Sequence, residues 1–146
     1  MSKTILIVEA PFYKDLTDAL VDGAIEAIEA AGYAYERVDV PGVLEIPTAI
    51  GYAAESGREY LGYVALGVVI RGETTHYDTV CAESARGIMD LGVQRGLAVG
   101  NGIQTVENHD QAWARCNKSD KNKGGGAAKA CLRLIEIRKQ MSGAVT

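Results

Sequence analysis

Between Arg71 and Tyr77 the chain reads Arg-Gly-Glu-Thr-Thr-His-Tyr, residue types suited to moving a proton beside a bound anion. Gly72 lets the backbone approach a charged ligand closely. Thr74 and Thr75 bring hydroxyls, and a helix opening here would add unpaired N–H groups and the positive end of its dipole. The plainer role for either threonine is to cap that helix. His76 would stand in the first helical turn, where the dipole opposes an imidazolium and favours a neutral ring able to accept a proton. The plainer role for a single histidine is a surface or packed position. Arg71 is either a second anion partner or half of a structural ion pair.

Other uncommon residues fall at comparable places. Phe12, the one phenylalanine, lies between Pro11 and Tyr13 and suits stacking on a planar ring, or a place in the core. Glu45 ends the run Pro41-Gly42-Val43-Leu44-Glu45. It is either a partner for a helix dipole or a hydrogen-bond acceptor for a ligand. Arg115 offers a planar fork for a phosphate and Lys123 a point charge, although both types are ordinary on surfaces. His109, among Glu107, Asn108 and Asp110, reads as solvated.

The elements that must position these residues alternate. Strands are expected at residues 4–9, 35–40, 61–70 and 97–100; the first is an apolar run rich in Ile and Val and the third is the most apolar of the four. Helical spacing follows Asp15, a candidate N-cap, up to a stop at Gly32. Further helices are expected from near Glu45 to residues 56–57, from Tyr77 to just before Gly96, from Asn108 to Arg115, and from Ala127 to about Lys139. Residues 117–126 read as a polar loop. Strands alternating with helices imply a parallel sheet with right-handed crossovers. The expected architecture is a three-layer α/β/α sandwich, flavodoxin-like, around a four-stranded parallel sheet, as one domain over residues 1–146. Ligands of such sheets bind beyond the carboxyl ends of the strands. There the reading puts residues 11–13, 41–45, 71–76 and 101–105.

Composition narrows the partners. A formal charge of −4 gives no reason to expect nucleic acid. No run approaches the roughly 18 apolar residues of a membrane helix, and no signal peptide is recognisable, so a cytoplasmic protein is expected. Three widely spaced cysteines, Cys81, Cys116 and Cys131, make neither a zinc site nor a disulfide framework and read as reduced thiols. Lys123-Gly124-Gly125-Gly126 lacks the Walker spacing, and no Gly-x-Gly-x-x-Gly follows the first strand. A response-regulator receiver would need acids where Pro11, Phe12 and Arg71 stand.

Several segments in register carry a resemblance. They are residues 41–47, Pro-Gly-Val-Leu-Glu-Ile-Pro, and residues 65–78, from Ala65 through Arg71-Gly72-Glu73-Thr74-Thr75-His76 to Asp78. Gly102-Ile103-Gln104-Thr105-Val106-Glu107-Asn108, Gln111-Ala112, Arg115 and Asn122-Lys123-Gly124 extend them. Together these segments resemble the 6,7-dimethyl-8-ribityllumazine synthases, from Phe12 to the last helix. The resemblance implies the penultimate step of riboflavin biosynthesis, with two small-molecule substrates and no metal or organic cofactor. It implies His76 as proton shuttle, and Arg115, Thr74 and the backbone at Gly72 and Glu73 as the phosphate seat, with Lys123 nearby. Phe12 would stack on the pyrimidinedione, Glu45 with Val43 and Leu44 would hold the ribityl chain, and Val68, Val69 and Ile70 would meet substrate. Asn101, Ile103, Arg115 and Lys123 would come from an adjacent subunit of a homo-pentamer, itself open to larger assembly. Two positions depart from the family's common pattern: Asn101 replaces an aromatic residue and Tyr13 an asparagine. A different class of function on the same scaffold is a flavin- or lumazine-binding or shell-forming paralogue without turnover.

Overall fold

A computed structural model describes residues 3–143. Strand β1 (Thr4–Ala10) leads into helix α1 (Lys14–Ala30), and β2 (Ala34–Asp39) into a short 3-10 turn at Val43–Glu45 that runs on as α2 (Ile46–Glu55). Strand β3 (Tyr60–Ile70) leads into α3 (His76–Arg95), and β4 (Val99–Val106) is followed by α4 (His109–Cys116) and α5 (Lys123–Met141). The four strands are parallel in the order β2-β1-β3-β4.

Strand periodicity explains the layers. Successive side chains point to opposite faces. On β1, Ile5 and Ile7 therefore join one core with Leu16, Leu20, Ile28, Cys131 and Ile135, while Leu6 and Val8 join another with Ile46, Ile50, Val80 and Ile88. Helices α1, α4 and α5 thus cover one face and α2 and α3 the other, a three-layer flavodoxin-like sandwich. Pro47 sits in the first turn of α2, where its missing N–H costs no hydrogen bond. Helix α3 ends at Gly96, whose φ of +67° is a left-handed cap that glycine adopts without strain. At the sheet edge, buried Glu9 of β1 accepts from Arg37 Nε and Nη2 of β2 at 2.8 and 2.9 Å, so the interior carboxylate is paired.

Three sequence expectations are corrected. Asp15 does not cap α1: Tyr13 occupies the cap position and Asp15 lies in the first turn, where its charge still meets the dipole. Strand β4 continues to Val106, so residues 101–105 are strand and not loop. Its glycines are packing residues: a Cβ on Gly100 would collide with the Ala127 carbonyl, and one on Gly102 would lie 2.6 Å from Leu66 Cδ2 and 2.9 Å from Ala127 Cβ. Helix α5 begins at Lys123 and not Ala127, taking Gly124, Gly125 and Gly126 into its first turns. Glycine is a poor helix former, but a Cβ on Gly124 would run into the Leu20 backbone of α1. Close approach of the two helices outweighs propensity there. Asn122, with φ +48°, starts the helix by accepting from Gly125 N at 3.2 Å.

Candidate active site

The chain leaves β1 toward β2 on one side and reaches β3 on the other, so the crevice at the carboxyl ends of β1 and β3 is a topological switch point. A cavity of about 460 Å³ opens there. Phe12 and Tyr13 bound it after β1, Gly42 to Glu45 after β2, and Val68, Val69 and Ile70 at the end of β3. Gly72, Thr74, His76, Tyr77 and Val80 complete it from the turn after β3 and the first turns of α3.

Each wall follows from local structure. Phe12 is 75% exposed, which removes the core role and leaves a bare aromatic face at the cavity, braced edge-on by Tyr13 with ring centroids 4.9 Å apart. Glu45 stands at the N-cap position of α2, but its side chain makes no capping hydrogen bond. Thr75 occupies the N-cap position of α3, again without a side-chain cap, and Thr74 Oγ1 instead accepts from His76 N at 3.3 Å. Asp78 N donates to Thr75 O at 3.0 Å, so of the first three N–H groups of α3 that of Tyr77 remains to meet an anion, together with the helix dipole. His76 is the first residue of the helix and is exposed, so it is not a packed histidine.

Arg71 takes the structural alternative. Its Nε donates to Glu107 at 2.9 and 3.1 Å, Nη1 lies 3.4 Å from Asp78 Oδ1, and the guanidinium sits 4.3 Å from the centroid of the Tyr77 ring.

The structure thus brings ten sequence-named residues to one cavity: Phe12, Val43, Leu44, Glu45, Val68, Val69, Ile70, Gly72, Thr74 and His76. Glu73, Asn101, Ile103, Arg115 and Lys123 do not line it. Asn101 is exposed on β4 and accepts from Ile103 N at 2.9 Å; Arg115, half-buried on α4, donates to Gln111 O at 3.0 Å. Lys123 is exposed at the first residue of α5. Tyr77 and Val80 also line the cavity, although apolar residues at helical spacing ordinarily pack against the core. Tyr77 follows His76 directly, and that adjacency was the available signal.

A family model described as 6,7-dimethyl-8-ribityllumazine synthase matches residues 2–139. The chain belongs to the 6,7-dimethyl-8-ribityllumazine synthase family. Relatives of that name include one from Agrobacterium fabrum, 56% identical over 98% of this chain and 100% of the relative. Another, from Sphingopyxis alaskensis, is 57% identical over 93% of this chain and 95% of the relative. A third, from Rhizobium meliloti and named 6,7-dimethyl-8-ribityllumazine synthase 1, is 57% identical over 94% and 92%.

In this member of the lumazine synthase family, none of the residues around the cavity is Lys or Arg among those described. The positive end of α3 is the cavity's own source of anion attraction. Among the described residues no group of three or more His, Cys, Asp or Glu is arranged to hold a metal ion, and no helix is long and apolar enough to cross a membrane.

Proposed function

We propose that this chain condenses 5-amino-6-(D-ribitylamino)uracil with 3,4-dihydroxy-2-butanone 4-phosphate to 6,7-dimethyl-8-ribityllumazine, releasing phosphate and water. It acts as one domain over residues 1–146 in the penultimate step of riboflavin biosynthesis, in the cytoplasm. The observation that carries the reading is the meeting of an exposed aromatic face, a carboxylate, a helix N-terminus and an imidazole around one cavity.

Phe12 stacks on the pyrimidinedione, and Val68, Val69 and Ile70 line the ring's far side. Glu45 and the backbone at Val43 and Leu44 take the ribityl hydroxyls. The phosphate seats on the α3 N-terminus, with Thr74 and the backbone at Gly72 and Glu73. The substrate amine adds to the ketone and loses water to give an imine. Phosphate leaves by elimination, and ring closure expels a second water. Each step moves a proton on the carbon and nitrogen skeleton, and His76 is the group at the cavity able to relay it. Holding both substrates in register supplies much of the remaining acceleration.

A dianion at a cavity with no cation of its own calls for one from outside. Arg115 and Lys123, with Asn101 and Ile103, supply that half of the site from the adjacent subunit of a homo-pentamer. The test is to mix the two substrates with the protein, following lumazine absorbance and phosphate release together. Expected is turnover well above the spontaneous rate with one phosphate per lumazine. A rate equal to the spontaneous one overturns the reading.

A further inference from the structure

The geometry points to Arg71 as a positioning residue for the anion seat, acting through Tyr77, Asp78 and Glu107 without touching substrate; the inference rests on the function proposed above. Arg71 is the first residue past β3, and its N–H still donates to Val106 O at 3.0 Å, so its backbone moves with the sheet. Its guanidinium reaches three places at once. Nε donates to both oxygens of Glu107 at the end of β4, Nη1 faces Asp78 in the first turn of α3, and the plane lies over the Tyr77 ring. Tyr77 is also one of the residues lining the cavity. Glu107 is fixed in turn, because its N–H donates to Gln111 Oε1 at 2.8 Å and Gln111 N donates to Asn108 Oδ1 at 2.9 Å.

The turn between Arg71 and His76 has little else to hold it. Residues 71–76 are exposed, Gly72 has open space around it, and the hydroxyl of Thr75 caps nothing. The place of the turn is therefore set by where the first turn of α3 is tied, and Arg71 supplies the tie to the sheet. It also balances Asp78 and Glu107, two carboxylates that would otherwise repel a phosphate dianion nearby. Exposed ion pairs add little to folding stability. Small misplacements at a reacting centre, by contrast, cost rate steeply. A substitution at Arg71 should separate the two effects.

The experiment compares the wild-type assembly with Arg71→Met, Arg71→Lys and Glu107→Gln. Measured are kcat, KM for each substrate, the Kd of inorganic phosphate by calorimetry, and the thermal midpoint. Expected for Arg71→Met is a rise on the order of ten- to hundredfold in KM for the butanone phosphate and in the phosphate Kd. The pyrimidine KM and the thermal midpoint should stay close to wild type. Lysine keeps the charge but lacks the plane that lies on Tyr77 and the fork that grips Glu107, so Arg71→Lys should recover only a small part. Glu107→Gln should shift the same constants in the same direction. Unchanged constants in Arg71→Met, full recovery by lysine, or an equal loss for both substrates with a fallen midpoint each overturn the inference. Normal wild-type turnover beside any of those results leaves the proposed reaction standing; absent wild-type turnover overturns both.

Discussion

At the level of single residues, His76 and Thr74 share one turn, the backbone N–H of one on the hydroxyl of the other at 3.3 Å. The imidazole is exposed and no core depends on it. His76→Ala should therefore leave thermal stability unchanged and lower kcat by about 10²-fold or more, the usual worth of a positioned acid–base group. Stopped-flow turnover with both substrates saturating checks this; an unaltered kcat removes His76 from the proton path. The thiols stand outside that chemistry. Burial pushes Cys116 up to about 11 and Cys131 up to about 12, so neither ionises near neutral pH. The residues around the cavity were largely legible in the sequence, because most lie at or just beyond the carboxyl end of a strand. Tyr77 was not, since an aromatic residue at helical spacing reads as packing until the direction of its ring is known.

At the level of elements, strand β4 and helix α5 meet backbone to backbone. A methyl group on Gly100 would collide with the Ala127 carbonyl oxygen, lie 2.8 Å from its carbon and 3.2 Å from Cys131 N, with no flexible side chain to yield. Gly100→Ala should destabilise the fold by about 1–3 kcal/mol. The urea midpoint should fall at unchanged slope, and a midpoint equal to wild type would contradict the close packing. Other glycines explain where sequence reading stopped short. Gly102 looks like a loop residue locally, as do the three glycines of residues 124–126, because glycine usually marks a turn. The reason for Gly102 lies across the chain in Leu66 and Ala127, that for Gly124 in the Leu20 backbone of α1, and that for Gly125 in the Asn122 side chain. The parallel sheet itself was readable, since β1 and β3 are continuous apolar runs buried on both faces. Their lengths came within a residue, whereas β4 did not, because its alternating burial mixes polar residues into the strand.

At the level of the whole molecule, the proposed site needs two chains. Arg115→Ala should raise KM for the butanone phosphate and spare pyrimidine binding, because a phosphate fork is lost from outside the cavity. A chain carrying both Phe12→Ala and His76→Ala should fail from the cavity side. Unfolded together and reassembled, the two defective chains should regain a share of wild-type turnover, since some sites then pair an intact cavity with an intact arginine. No recovery in verified mixed assemblies would place both halves on one chain. The absence of Lys and Arg among the described residues around the cavity also bears on timing. If the site is shared as proposed, a newly synthesised chain would fold a shaped recess that is electrically unfinished. It would stay inert toward the phosphate esters around it until its siblings arrived, so association itself would be the moment at which the catalyst switches on.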